Sequence, residues 1–217
     1  EYIQAFENAV RSDRYSAEYE GETLHYSELF DMDALVDYWL INEIFFNEEL
    51  NKKSTYMYKD IDGLMYMGPI WDMDWSSGGE GQTHITNEWA TRHYSTNAQA
   101  KSWYKFLIQD PYFIVKAQER YWQIRNDQVV DMLAELDSNY ELLKESAAGN
   151  GKRWNYGSDY KKYVDNLRNW LNTHLNWMDT QMATQDSLRE SLGYHASSRL
   201  ALTLTDAEIA VSILFKI

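Results

Sequence analysis

The sequence predicts a mainly α-helical domain carrying one small β-hairpin. Three observations predict it. Only two prolines and ten glycines interrupt 217 residues, which favours long helices over a turn-rich β-sandwich. Apolar residues recur at helical spacing over 2–12, 33–47 and most of 101–182. One stretch, 55–67, breaks that period with two β-favouring runs around an Asp62-Gly63 turn signal.

The elements run in this order. Tyr2, Ile3, Phe6, Ala9 and Val10 mark a first helix over 2–12. Residues 13–30 are polar and broken by Gly21, and read as a loop. Asp31 or Asp33 can cap a helix over roughly 33–47, with Leu35, Val36, Trp39, Leu40, Glu43 and Ile44 along it. The hairpin 55–67 ends at Pro69. Ser76 to Gly81 is a flexible polar segment, and 82–98 has no clear period. A short helix holds Trp103, Tyr104, Phe106 and Leu107. Asp110-Pro111 starts the next, since Asp caps and Pro suits the first helical position, and its pattern continues to about 146. Ala147 to Gly157 reads as a loop. Ser158 or Asp159 caps a helix to about 182, and a short one near 186–192 closes at Gly193. The domain is expected over 1–194, with 195–217 a linker or tail of unassigned role.

Composition narrows the function. Hydrophobic residues make up 44% of the chain, enough for a sizeable core. A net charge of −14 gives no electrostatic reason to bind nucleic acid or an anionic membrane. With no cysteine, disulfides, zinc–thiolate sites and thiol nucleophiles are excluded. No apolar run approaches the roughly 20 residues of a membrane span. The chain opens at Glu1 without a signal-like segment, so it is expected to begin within a longer protein.

The chemistry concentrates in 47–75. Asn47-Glu48-Glu49 closes a helix and opens a polar loop to Ser54; a hairpin comes next, then Trp71-Asp72-Met73-Asp74-Trp75. This order resembles the C-lobe of protein kinases. There the loop supplies a carboxylate near the substrate hydroxyl and, five residues on, a metal-binding amide; the acid after the hairpin holds Mg²⁺ on the nucleotide phosphates. Glu49 and Ser54 are also five apart. Phosphates carry dense negative charge, and Mg²⁺ needs hard oxygen ligands to bridge them. In an extended segment Asp72 and Asp74 point to one side, with Trp71, Met73 and Trp75 anchoring the other.

The strings DYWLINEIFFN (37–47), STYMYKDIDGLMYMGPIWDMDWSSGG (54–79) and, more weakly, WYKFLIQDPYF (103–113) and WLNTHLNWMD (170–179) resemble the CotH family of spore-coat and secreted atypical protein kinases. The resemblance implies the C-terminal part of that kinase-like fold. It assigns Asp72 as a catalytic, Mg²⁺-binding aspartate with Asp74 as second acidic contact, Glu49 as catalytic-loop acid, and Asn47 and Ser54 as cofactor-binding positions. The implied cofactors are Mg²⁺ (or Mn²⁺) and ATP, and the implied activity is phosphoryl transfer to Ser/Thr of secreted or surface proteins. The family's kinases carry Asp where Glu49 stands and Asn where Ser54 stands. Glutamate is one methylene longer, and serine is a shorter, weaker metal ligand. These departures, and the lack of a lysine-bearing N-terminal lobe, favour the alternative of a non-catalytic kinase-like adhesion or scaffold module. Either reading places the protein outside the cell or on a bacterial surface, with a protein substrate or surface scaffold as partner.

Plainer readings apply elsewhere. A charge run such as Glu48 to Lys53 is usually a solvated loop. His25, His84, His93, His174 and His195 show no metal-ligand spacing, and His174 reads as a packing histidine. Gly78-Gly79-Glu80-Gly81 lacks the ending of a phosphate loop. Arg120, Arg125, Arg153 and Arg168 read as ion-pair partners for the many acids. Carbohydrate contact requires several of Trp89, Tyr94, Trp103 and Trp154 to form one exposed strip.

Overall fold

The computed structural model describes residues 1–50, 53–79, 84–95, 102–155 and 159–193, with the side chains of 94 and 95 left aside. Segment 195–217 therefore lies outside the described residues. Among those described are eight α-helices and two two-stranded sheets.

Helix α1 (Tyr2–Arg11) buries Ala5, Phe6, Ala9 and Val10, the stripe its spacing predicts. Region 13–30 is not the loop expected. Strands β1 (Ser16–Tyr19) and β2 (Glu22–His25) pair antiparallel, with Tyr19 opposite Glu22. Both turn residues, Glu20 and Gly21, have positive φ (51° and 87°), which suits the twist of a two-residue hairpin. A glutamate in that conformation is uncommon, so the turn carries no familiar sequence signal.

Helix α2 (Met32–Ile44) is capped by Asp31, whose side chain accepts from the Ala34 amide at 2.8 Å. It is buried on most sides, as befits the central helix. Strands β3 (Met57–Lys59) and β4 (Met65–Met67) form the expected hairpin, shorter than predicted. Its turn closes between Asp60 and Gly63, the Gly63 amide donating to the Asp60 carbonyl at 3.2 Å. Helix α3 (Ala90–Ser95) lies inside the stretch without a sequence period.

Helix α4 (Tyr104–Leu107) precedes α5 (Pro111–Arg125), which Asp110 caps through the Tyr112 amide at 3.1 Å. The same carboxylate accepts the buried Tyr26 hydroxyl at 2.6 Å, so one side chain joins a helix start to the turn after β2. The single helix expected to 146 is instead two. It breaks at Asn126-Asp127, and α6 (Gln128–Trp154) runs through the predicted loop, ending on Asn155 in the left-handed conformation. Gly149 and Gly151 sit within α6, where neighbouring Ala, Lys and Arg are good helix formers. Helix α7 (Tyr160–Gln181) packs on α6 and α2, and α8 (Gln185–Ser191) closes against α5 and α7.

A buried carboxylate links the centre. Glu43 on α2 is fully buried. It accepts from the Ala90 amide at 2.6 Å, the Thr91 amide at 2.9 Å and the Thr91 hydroxyl at 2.5 Å. These amides open α3, so α2 supplies a cap to α3. Trp39 Nε1 donates to the same Thr91 hydroxyl at 3.0 Å, and its ring stacks on Trp89 at 5.7 Å.

Replacing Asp110 by Ala should lower stability by about 2–4 kcal/mol in denaturant unfolding, from the lost cap and the stranded Tyr26 hydroxyl. Burial raises the Glu43 pKa from 4.5 to about 7, against the opposing hydrogen bonds from Thr91 and Ala90. The folded chain thus holds this proton more tightly than the unfolded one. The resulting stabilisation is fully present below about pH 4.5 and is lost as pH rises through about 7, on the order of 3 kcal/mol. Glu43→Gln should flatten that part of the pH–stability profile.

Candidate functional site

The site begins where α2 ends. Phe46 takes a left-handed φ of 49° and turns the chain out of the helix. The Asn47 amide donates back to the Asn42 carbonyl at 2.9 Å. Two backbone hydrogen bonds then bind this turn to the segment after the β3–β4 hairpin. The Glu48 amide donates to the Trp75 carbonyl at 3.2 Å, and the Ser77 amide donates to the Phe45 carbonyl at 2.7 Å. The catalytic-loop candidates and the acidic motif, far apart in sequence, are thereby laid side by side.

Asn47 is the strut between them. Its Nδ2 donates to Asn42 Oδ1 at 2.7 Å and lies 3.3 Å from Met73 Sδ, while its Oδ1 accepts the Glu49 amide at 2.9 Å. The side chain is buried (3% exposed), and both ends of its amide are engaged within the protein. Glu49 is nearly buried, with its carboxylate toward Lys53 (3.0 Å) and the Ser54 hydroxyl (3.4 Å). The Ser54 hydroxyl also reaches Asp72 Oδ2 at 2.9 Å. The structure therefore gathers Glu49, Ser54 and Asp72 around one hydroxyl. Lys53 is the cation of this group. Its ammonium pKa is raised first by its hydrogen bond to Glu49 and by that carboxylate's charge, with Asp72 and Asp74 adding to it.

The acidic motif departs from the extended form expected. Asp72 has φ of 64°, and residues 73–74 form a turn closed by Ser76 Oγ on the Met73 carbonyl at 2.6 Å. The alternation that would put Asp72 and Asp74 on one side is absent. Trp71 and Trp75 are not inward anchors either: they are 58% and 50% exposed, and the partly buried Met73 is the anchor. Asp72 and Asp74 are both exposed. Among the described residues no three His, Cys, Asp or Glu side chains converge as a metal cage. The donors present are all hard oxygens. Mg²⁺ characteristically takes one or two carboxylates and completes its shell with water and phosphate, so the donor set fits a phosphate-bridging Mg²⁺ and does not fit a closed protein cage.

Left-handed backbone at the non-glycine residues Phe46, Ser54, Asp72 and Ser77 marks the corners of this site, as strained residues often do at functional positions. Behind it Gly78 packs against α7. A Cβ there would come within 2.5 Å of Trp170 Cδ1, and its φ is 66°. Gly79 comes next, while the rest of the expected flexible segment, 80–81, lies outside the described residues.

Lys53 and Glu43 carried no site assignment from sequence, whereas Met73 is the one of the three expected anchors that turns inward. Only Glu43 left a signal, a carboxylate on the apolar stripe of α2. The arginines behave as expected of ion-pair partners: Arg120 with Asp37, Arg125 with Asp179 and Arg168 with Asp137, while Arg153 lies over the Trp154 ring. Of the aromatic residues named for carbohydrate contact, Trp89 is a core residue at 1% exposure and Trp103 is partly buried, so among the described side chains only Trp154 is exposed, and that of Tyr94 lies outside them.

A family model described as CotH kinase protein matches residues 1–178. No curated protein and no solved structure matches the chain.

Gly78→Ala should destabilise the fold by about 1–3 kcal/mol in thermal or denaturant unfolding, since it combines a left-handed backbone with a clash against a buried indole.

Proposed function

The chain belongs to the CotH kinase protein family, and from that membership we propose that the surface around Glu49, Ser54 and Asp72 is the phosphoryl-transfer face of a kinase-like domain. The observation that carries the proposal is the Ser54 hydroxyl held between the Glu49 and Asp72 carboxylates. It joins the loop candidate, the position five residues on and the acid after the hairpin in the order the family resemblance implies. Asp72, with Asp74 as second contact, would hold Mg²⁺ or Mn²⁺; when bound, the ion would neutralise charge on the phosphates of ATP. Glu49 is the acid placed to accept the proton of a substrate Ser/Thr hydroxyl. Ser54 orients both carboxylates, and Asn47 braces the loop from beneath. The Lys53 ammonium would be drawn to a phosphate as readily as to Glu49. Exposed Tyr56 and Trp71 meet edge to face at 6.4 Å, and Trp71 is the chain neighbour of Asp72.

The substrates proposed are secreted or surface proteins, and the proposed location is outside the cell or on a bacterial surface, as the C-terminal part of the kinase-like domain. Among the described residues no helix is long and apolar enough to cross a membrane. One observation favours the non-catalytic surface module instead. Glu49, Ser54, Asp72 and Lys53 already engage one another, an arrangement that needs no metal to hold it.

Titration of Mg²⁺ or Mn²⁺ with ATP, read by thermal unfolding, separates the two. Catalytic architecture should raise the melting temperature by about 5–10 °C at saturating ligand, and Asp72→Ala, read against its own ligand-free melting temperature because alanine at a left-handed φ lowers that baseline, should abolish the rise. A melting temperature indifferent to metal and nucleotide would instead support the scaffold reading.

A further inference from the structure

His174 lies fully buried on α7, in the middle of the described core. Its Nε2 is 2.8 Å from the Glu43 carbonyl oxygen, and its Nδ1 is 3.0 Å from the Thr86 carbonyl oxygen. A carbonyl oxygen only accepts. A neutral imidazole has a single N–H, so one of the two contacts would set lone pair against lone pair at hydrogen-bond distance. The imidazolium, with two N–H groups, satisfies both. The surroundings suit a cation as well. The ring lies at 5.6 Å and 19° on Trp177, and at 4.9 Å and 33° on Trp170, whose aromatic faces attract positive charge.

We propose that His174 is a proton-operated clasp: as the imidazolium it fastens the last turn of α2 and the Thr86 stretch together onto α7, and on losing one proton it releases one of the two. The Glu43 carbonyl also accepts the Phe46 amide at 3.0 Å, so the turn it holds is the one that launches Asn47 and Glu49. The Thr86 stretch leads into Trp89 and the start of α3. The clasp therefore governs how the site loop sits against the body, and it does so whether or not the site binds a nucleotide.

Other charged groups on the neighbouring elements are engaged elsewhere. From α2 the Glu43 carboxylate points to the α3 amides. From α3 His93 meets Glu88 at 2.9 Å, and Arg92 donates to the Ser191 carbonyl at 2.6 Å. Asp179 on α7 itself pairs with Arg125 of α5, and Arg168 with Asp137 of α6. Burial lowers the His174 pKa and the two carbonyl acceptors oppose that, so the clasp is closed on the acid side and opens as pH rises.

The test is side-chain ¹⁵N correlation spectroscopy of the intact chain across pH, read together with backbone amide shifts. The expected result is a His174 ring with both nitrogens protonated at the acid end of the folded range. As it titrates to one N–H, the amides of Phe46 and of 86–91 should move with the same midpoint. His174→Gln should lose that amide step while the other histidines titrate as before. A His174 ring carrying one N–H throughout the folded range overturns the proposal, and so does a titration that leaves those amides unmoved.

Discussion

The arrangement depends on one buried carboxylate. Glu43 leaves the central helix, crosses to α3, and satisfies the two amides that open that helix as well as the Thr91 hydroxyl. A charged or polar group in a core is tolerated only when its hydrogen bonds are complete, and here three donors converge on it. The cost of burial makes the contact specific. No neighbouring register of α2 against α3 would present the same donors, so the pairing of the two elements is set by a polar contact inside an apolar core. Trp39 and Trp89 fill the space around it, and His174 caps the same turn from α7.

The loop beyond α2 inherits that placement. A turn of chain past Glu43, Asn47 binds backward to Asn42 and forward to Glu49 and Met73. The hairpin then returns the chain so that Asp72 arrives beside Ser54. The proposed functional face is thus a surface loop cluster held by a polar scaffold underneath, with Ser54, Asp72 and Asp74 left exposed or half-exposed. That division is physical. Groups that must exchange partners with a ligand cannot also be locked in the core, whereas Asn47 and Glu43 can be.

The electrostatics obey the same division. The large excess of acid is spread over the surface, and Arg120, Arg125 and Arg168 answer individual aspartates. Isolated exposed pairs contribute little to stability, so the acidity matters chiefly as a field that favours cations. Among the described residues, Lys53 is a cation that the chain itself provides at the site, lying on Glu49 within the field of Asp72 and Asp74.

The sequence by itself determined the helical character, the apolar stripe of α1, the cap at Asp110, the β3–β4 hairpin and the order of Glu49, Ser54 and Asp72 along the chain, and it narrowed the caps of α2 and α7 to two candidates each, of which the structure uses Asp31 and Asp159. Those features depend on local periodicity and on residue types with strong backbone preferences, which are written in a few neighbouring residues. Tertiary structure alone decided the rest. The β1–β2 hairpin rests on a glutamate in a left-handed turn, and α6 continues through two glycines. Asp72 takes a left-handed turn where alternation would have extended it, because Met73 is drawn inward to Asn47. The roles of Glu43 and His174 emerge only when partners 47 and 131 residues away are brought to hydrogen-bond distance. Long-range hydrogen bonds of that kind leave no periodic trace in a sequence, since only folding places their donors and acceptors together.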